Sequence, residues 1–257
     1  MKSDRSLGNR ISIVVPVFNA QDYILDTIRM VQRQTYENFE LILVDDASSD
    51  RSTEIINAVL GEGDNRIKLI RTTVNKGAAS ARNAGISAAT GRYLAFLDAD
   101  DVWMEDKLEK ELAFLRDKDA AFVFTAYEFG DENAKPTGRV VHVPESLSFR
   151  EALSRTVIFT TTVMIDMDKL SKDTIYMPLI ESEDTATWWS ILKRGTVAYG
   201  LDEVLAIYRR PHKSLSSNKF AAIRRIWGLY RKIAGLSVIS SLFYFMGWAV
   251  RATLRRL

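Results

Sequence analysis

Two aspartates separated by a single residue, Asp98 and Asp100, have the type and spacing of metal ligands. They directly follow the apolar run at residues 93–97, which is typical of a buried strand. Alternate residues of an extended segment point the same way, so both carboxylates could bind one Mg²⁺ or Mn²⁺ ion whose remaining positions are filled by phosphate oxygens. Helix capping is the alternative, and Asp101 is expected to cap a helix beginning near Met104. Asp98 and Asp100 remain as candidate metal ligands.

Further polar residues are expected beside this pair, because strand and helix patterns alternate along the first hundred residues. The apolar runs at 11–17, 39–44, 67–70 and 93–97 predict a mostly parallel, doubly wound sheet with helices between the strands. Ligands of such sheets bind beyond the carboxyl ends of the strands. The residues expected at those ends are Pro16, Phe18, Asn19, Asp45, Asp46 and Gly77. One aspartate of the 45–46 pair is expected to serve only the turn.

Residues 75–83, NKGAASARN, place small side chains and Arg82 at the start of a predicted helix. This composition suits the close approach of a diphosphate to a helix N-terminus. The alternative is a helix of small residues packed tightly against the sheet. Both interpretations stay open at this point.

A second acidic cluster occurs in residues 181–189, ESEDTATWW, before a helix predicted over 184–194. Helix capping explains one acid. Three acids next to Trp188 and Trp189 suggest that one carboxylate faces a pocket in which a sugar ring stacks. Of the two histidines, His142 lies in a predicted loop, whereas His212 lies among cations that could close over a phosphate.

Composition excludes several classes of protein. The 257 residues are enough for one substantial core, and the 47% apolar content is that of a globular chain. The absence of cysteine excludes a disulfide framework, a thiolate zinc site and a cysteine nucleophile. No G-x-G-x-x-G follows the first strand and no P-loop occurs, so a dinucleotide oxidoreductase or a P-loop ATPase is not supported. The first ten residues lack the apolar run of a secretion signal, which favours a cytoplasmic protein.

Charge divides the chain into two parts. Residues 1–203 carry 24 basic and 33 acidic groups, whereas no Asp and no Glu occurs after Glu203, where Lys and Arg occur eleven times. We therefore expect a main domain over 1–218 and a basic helical tail over 219–257 that seeks an anionic membrane surface. The charge-free run at 233–250 is at the short limit of a membrane span, and the preferred interpretation is an interfacial or re-entrant helix. The aromatic residues expected at headgroup depth are Trp227, Tyr230, Tyr244 and Trp248.

Two alternatives for this tail remain. A soluble helix could pack on the domain or on a second copy of the chain, so a homodimer is left open. Nucleic acid is the other polyanion for a basic tail, but aromatic residues within a charge-free run suit lipid better.

Four segments together resemble the inverting glycosyltransferases of family 2, which have the GT-A fold. They are VVPVFNAQDYI, LILVDDASSDRS, NKGAASARNAGISAATGRYLAFLDADD and SEDTATWW, and they occur in family order over residues 11 to about 217. The chain is most similar to bacterial enzymes of capsule, O-antigen and teichuronic acid assembly, which often carry a segment like YRRPHKSLSSNK. Processive synthases of the family carry a Q-x-x-R-W signature, which this chain lacks, so transfer of one sugar is expected.

The resemblance implies roles for the residues collected above. Asp184 would be the catalytic base, Arg82 would approach the diphosphate, and Asp98 and Asp100 would bind Mn²⁺ or Mg²⁺, with His212 as a further ligand. The donor would be a nucleotide sugar, with uridine diphosphate as the default. The residues implied in donor binding are Pro16, Phe18, Asn19, Asp45, Asp46, Gly77, Arg82, Asp98 and Trp188. Gln21 departs from the family, which often has an acid there.

The acceptor implied by the resemblance is a lipid-linked saccharide or a polysaccharide at the inner face of the cell membrane. A polyprenyl-phosphate glycosyltransferase is the nearest alternative and differs only in the acceptor. A nucleotidyltransferase is more distant, since it needs a basic, glycine-rich loop after the first strand and PVFNAQ is not one. A non-enzymatic module that binds an anionic surface is the last alternative.

Overall fold

A computed structural model of the chain describes residues 8–210 and 219–254, and it contains one ten-stranded sheet with helices on both faces. The strands are β1 Ile11–Val17, β2 Phe39–Asp45, β3 Ile67–Arg71, β4 Tyr93–Phe96, β5 Val102–Trp103, β6 Phe122–Gly130, β7 Pro136–Val141, β8 Ser146–Leu147, β9 Val163–Asp166 and β10 Ala198–Arg209. The α-helices are α1 Ile24–Gln32, α2 Ser52–Leu60, α3 Ala78–Ala88, α4 Lys107–Asp117, α5 Phe149–Ser154, α6 Lys172–Ile175, α7 Glu183–Lys193, α8 Lys219–Gly228 and α9 Val238–Leu254.

The sheet is mixed, with strand order β3-β2-β1-β4-β9-β6-β10-β5. The first half, β3-β2-β1-β4, is parallel as predicted, because a helix returns the chain after each of β1, β2 and β3. The expectation of a mostly parallel sheet is wrong for the second half. There β9 runs antiparallel between β4 and β6, and the β6–β7 hairpin is antiparallel. Among the described strands of this half, only β6 and β10 pair in parallel.

Helix α3 packs unusually close to β1. A Cβ atom placed on Gly85 would lie 2.4 Å from Val14 Cγ1, which is far inside van der Waals contact. Ala81 and Ile86 on the same helix are fully buried. The small residues of α3 therefore serve tight packing, and this packing fixes the helix N-terminus at the carboxyl edge of the sheet.

The C-terminal helices join the core instead of standing apart from it. A six-residue π-helix, Leu229–Ala234, follows α8, and Gly235 in a left-handed conformation (φ 71°) separates it from α9. Tyr230 is fully buried, stacks on Trp189 at 5.4 Å between ring centroids and donates a hydrogen bond to Leu153 O at 2.6 Å. The proposed boundary at residue 218 stays a prediction, but residues beyond it complete the core.

The expectation of a side chain at headgroup depth is wrong for Tyr230, which lies in the core. Trp227, Tyr244 and Trp248 pack against the core but are only partly buried, and their place at headgroup depth stays a prediction. Trp248 also donates a hydrogen bond to Thr156 Oγ1 at 3.3 Å. Within residues 8–210 and 219–254, no helix has the length and apolarity needed to cross a membrane.

Candidate active site

A cleft of about 590 Å³ opens at the carboxyl ends of β1, β2 and β4. It collects most of the residues that the sequence places at strand ends. The predicted residues among those that line it are Pro16, Phe18, Asn19, Asp46, Gly77, Arg82, Asp98 and Asp100. His212 lies outside the described residues.

One wall of the cleft is the turn after β1, which is pinned to the turn after β2. Asn19 has a left-handed backbone (φ 50°), its N–H donates to Ser48 Oγ at 3.0 Å, and its side-chain oxygen accepts from Ser49 N at 2.9 Å. Asn19 therefore belongs to this turn and not to α1, which begins only at Ile24. The turn leaves the Phe18 ring 51% exposed in the cleft, where it offers an aromatic face to a flat ligand.

Asp45 and Asp46 have different roles, in agreement with the expectation that one of them serves only the turn. Asp45 is fully buried, does not line the cleft, and accepts hydrogen bonds from Ser48 N and Thr53 Oγ1. Asp46 lines the cleft, and its carboxylate accepts from the backbone N–H groups of Lys76 and Gly77 at 2.9 and 2.7 Å. Asp46 thereby holds the turn that precedes α3, with Gly77 at φ 87°.

Arg82 is the buried cation of the site, with a side chain that is 8% exposed. Its Nη2 donates to Asp98 Oδ1 at 2.6 Å and its Nη1 donates to Glu183 Oε1 at 2.8 Å. Burial opposes the charge of this guanidinium, but the carboxylates of Asp98 and Glu183 outweigh it and raise the pKa of Arg82. Its buried Nε has no hydrogen-bond partner among the described residues. Arg82 thus links the metal-ligand candidates to the start of α7.

Negative charge accumulates in the loop after β4. Burial and the neighbouring charge of Asp98 raise the pKa of Asp100. Burial raises the pKa of Asp101 well above its usual range, and the charges of Asp98 and Asp100 add to this effect. The prediction that Asp101 caps a helix is wrong, because α4 begins only at Lys107. Asp101 instead accepts hydrogen bonds from Thr161 Oγ1 at 2.6 Å and from Arg209 N at 3.1 Å.

Arg209, at the end of β10, stabilises the loop after β4 by a hydrogen bond to its backbone. Its Nε donates to Asp100 O at 2.6 Å, and its guanidinium lies over the Tyr23 ring at 4.6 Å from the centroid. The motif YRRPHKS pointed to cations near a phosphate. It carried no sign that Arg209 contacts the loop of the two aspartates.

The residues at the cleft fit a divalent cation that is coordinated mainly by a bound phosphate and by water, and only in part by the protein. Asp98 and Asp100 supply hard oxygen donors, and the pKa of Asp100 is raised first by burial and then by the charge of Asp98, both of which a bound cation would offset. Over residues 8–210 and 219–254, no group of three or more His, Cys, Asp or Glu side chains is placed to hold a metal ion. A cation would therefore take most of its other ligands from phosphate oxygens and water.

Asp184 lies in the first turn of α7, next to Glu183. Its Oδ2 accepts a hydrogen bond from Thr160 Oγ1 at 3.2 Å, and its Oδ1 accepts from Thr185 N at 2.6 Å. Ser182, which precedes the helix, has a left-handed backbone (φ 59°), the kind of strained conformation that clusters at functional sites. Burial raises the pKa of Glu183 although Arg82 opposes it. Asp184 is not among the residues that line the cleft, but its neighbour Glu183 reaches the cleft through Arg82.

Trp188 does not offer a stacking face, so that prediction is wrong. The side chain is 1% exposed and packs against the rings of Phe96 and Phe122, at 5.9 and 5.2 Å between centroids. Trp189 is also buried, on Tyr230. Both tryptophans pack α7 onto the rest of the core and thereby fix the position of its acidic first turn.

Comparison with known proteins agrees with this geometry. Residues 12–174 match the family described as Glycosyl transferase family 2. The chain is 42% identical over 248 residues to TuaG of Bacillus subtilis, which is named for teichuronic acid biosynthesis, covering 96% of this chain and 97% of that protein. It is 33% identical over 241 residues to WfgD of Escherichia coli, a UDP-Glc:α-D-GlcNAc-diphosphoundecaprenol β-1,3-glucosyltransferase, covering 93% and 92%.

Solved structures show the same fold at low identity. The structure of S. aureus TarS 1–349 with UDP-GlcNAc matches 93% of this chain and 70% of its own, with a TM-score of 0.68 at 18% identity. A mannosyltransferase of Pyrobaculum calidifontis, in complex with GDP-Man and Mn²⁺, matches 90% and 65% with a TM-score of 0.66 at 19% identity. The mixed sheet flanked by helices is therefore a GT-A-like fold, and the chain belongs to glycosyl transferase family 2 and is a glycosyltransferase.

Proposed function

We propose that this enzyme transfers one sugar, with inversion, from a uridine diphosphate sugar to a lipid-linked saccharide in the synthesis of a bacterial surface polysaccharide. The names of the relatives support the donor and acceptor classes, since WfgD is named for UDP-Glc and a diphosphoundecaprenol-linked sugar. The observation that carries the proposal is the cleft itself. It places an exposed aromatic ring, a buried arginine and an acidic pair on one edge of the sheet.

The donor would lie along this cleft. Phe18 would stack on the base, with Pro16 and Asn19 shaping the wall beside it. The diphosphate would approach the N-terminus of α3 at Gly77, where Asp46 holds the turn open. Arg82 would contribute positive charge from beneath while it stays paired with Asp98.

Asp100 and Asp98 would hold a Mn²⁺ or Mg²⁺ ion. When bound, the ion would supply charge neutralisation to the leaving diphosphate, an effect worth several kcal/mol in metal-dependent enzymes. Arg209 supports this arrangement by fixing the backbone of Asp100 through its carbonyl oxygen.

Asp184 would act as the base. The acceptor hydroxyl gives its proton to the Asp184 carboxylate while its oxygen bonds to the anomeric carbon, and the bond from that carbon to the diphosphate oxygen breaks. A single displacement of this kind inverts the anomeric centre. A positioned base contributes about 10²- to 10⁴-fold in rate, and the bonds from Thr160 and Thr185 hold the carboxylate in place.

The first test is Asp184→Asn, measured by single-turnover transfer and by donor titration. We expect transfer to fall by at least about 10²-fold while UDP-sugar affinity stays near the wild-type value. Asp117→Asn, at the exposed end of α4, is the matched control and should change neither quantity. Loss of donor affinity in Asp184→Asn, or full transfer activity, contradicts the assignment of Asp184 as base.

The second test distinguishes acceptors. Purified enzyme with UDP-sugar and Mn²⁺ should glycosylate a diphosphoundecaprenol-linked sugar. Transfer to undecaprenyl phosphate alone would identify a polyprenyl-phosphate glycosyltransferase instead and would overturn the proposed acceptor.

A further inference from the structure

The outward face of α9 is a continuous apolar stripe. Its side chains are Ile239, Leu242, Phe243, Met246 and Val250, with exposures between 49% and 81%. The spacing of three or four residues places them on one side of the helix. The aromatic residues Tyr244 and Trp248 pack inward against the core, as described above. The side chains of the stripe therefore take no part in the core and stay exposed.

A groove of about 780 Å³ between α5 and α9 borders this stripe. Phe243, Met246 and Val250 line it together with three arginines, Arg150, Arg155 and Arg251. An apolar floor edged by guanidinium groups suits an amphipathic ligand with an anionic head and an apolar chain.

The positive charge of this groove is only partly neutralised, since three arginines face one glutamate in its lining. Over the described residues, none of Arg150, Arg155 and Arg251 forms a salt bridge. The one acid of the lining, Glu151, accepts hydrogen bonds from Ser148 at the start of α5, and these bonds and the charge of Arg155 lower its pKa. Beyond Glu203 the sequence contains no acid at all.

We propose that the stripe and the groove form a docking surface for an anionic phospholipid bilayer. The arginines bind lipid phosphates, and the stripe enters the boundary between headgroups and acyl chains, a depth of about 5–10 Å for interfacial helices. Duplex DNA would leave the stripe in water, and a two-fold contact between copies would bring these arginines against each other. The inference rests on the proposed function only in that a lipid-linked acceptor lies in such a membrane.

The test is sedimentation of the full chain with vesicles of equimolar phosphatidylglycerol and phosphatidylcholine, against vesicles of phosphatidylcholine alone. We expect binding to the anionic vesicles that weakens as salt screens the charges. The pair Arg150→Gln/Arg155→Gln should bind about thirtyfold more weakly. Its control is Arg33→Gln/Arg51→Gln, which removes the same charge from exposed arginines elsewhere and should bind like wild type.

The apolar contribution is tested with Phe243→Ser/Met246→Ser, which should lose at least about tenfold in binding. Leu25→Ser, which alters an apolar residue 43% exposed on α1, should lose nothing. Arg155 is half-buried and the other altered side chains are exposed. None of them lies in the core, so melting temperatures should stay near the wild-type value and show that folding is intact.

Four results would overturn the proposal. They are an absence of binding to anionic vesicles, equal losses in the variants and their controls, displacement from vesicles by duplex DNA, and a lipid-free dimer that Phe243→Ser/Met246→Ser dissociates. Donor binding, followed by the thermal shift that UDP and Mn²⁺ produce, reports separately on the proposed function.

Discussion

Replacement of Arg82 by Gln removes the cation that lies between two partly buried carboxylates. The guanidinium is 8% exposed, and its partners Asp98 and Glu183 are 25% and 19% exposed. Removing one member of a buried ion pair costs about 3–5 kcal/mol, because the remaining charge stays desolvated. The partial exposure of both carboxylates places Arg82→Gln at about 3 kcal/mol. For a chain of this size, this corresponds to a fall of about 6–12 °C in melting temperature.

The assay is thermal unfolding of the metal-free protein at pH 7, with Arg29→Gln as the matched control. Arg29 also makes two hydrogen bonds to a carboxylate, Glu62, but these two side chains are 38% and 50% exposed, so the control should melt close to wild type. Adding Glu183→Gln to Arg82→Gln removes one unpaired charge and should restore part of the loss. If Arg82→Gln melts no lower than Arg29→Gln, the buried-charge account of this site is refuted.

Two further variants test the acidic loop and the turn before α3. Because the pKa of Asp100 is raised in the folded chain, folding holds that proton more tightly, and stability is lost as pH rises above the ordinary value of 3.8. Without metal at pH 7, Asp100→Asn should therefore have a higher melting temperature than wild type. It should also lose the rise in melting temperature that Mn²⁺ and UDP together produce. A melting temperature below wild type without metal contradicts this reasoning. Gly77→Ala, at φ 87° with no atom within 4 Å of the added Cβ, should lose about 1–3 kcal/mol by urea unfolding, from backbone strain alone. Gly228→Ala, in a right-handed helix with equal room, should lose nothing, and equal losses would remove the strain argument.

The first four strands could be predicted within one residue at either end, because each is an apolar run followed by a helix pattern. The longest strand, β10, was not predicted. Asp202 and Glu203 interrupt its apolar pattern, and its register with β6 shifts between Leu201 and Val204. A strand with an irregular centre lacks the period on which prediction depends.

The strand-end rule found the cleft, since it depends only on where apolar runs stop. It could not assign individual side chains. Asp45 and Asp46 are adjacent in sequence, yet only the structure shows which one lines the cleft. The position of Trp188, one turn beyond two acids, predicts that it faces a pocket. A helical pattern does not show whether a side chain meets the core or a ligand, and Trp188 packs in the core. The contacts of Arg82 with Glu183 and of Arg209 with Asp100 join residues about a hundred positions apart, which no local pattern reveals.

The stacking of Tyr230 on Trp189 has a geometric consequence for catalysis. The same helix that carries Asp184 carries Trp189, so the segment leading to α9 is clamped to the element that bears the proposed base. The outward face of α9 is therefore held in a fixed position relative to α7. On a membrane bound through α9 as proposed, the packing of these rings would set the height and tilt of the reaction centre. We then expect acceptors to differ in activity according to how far the reacting hydroxyl extends from the lipid anchor.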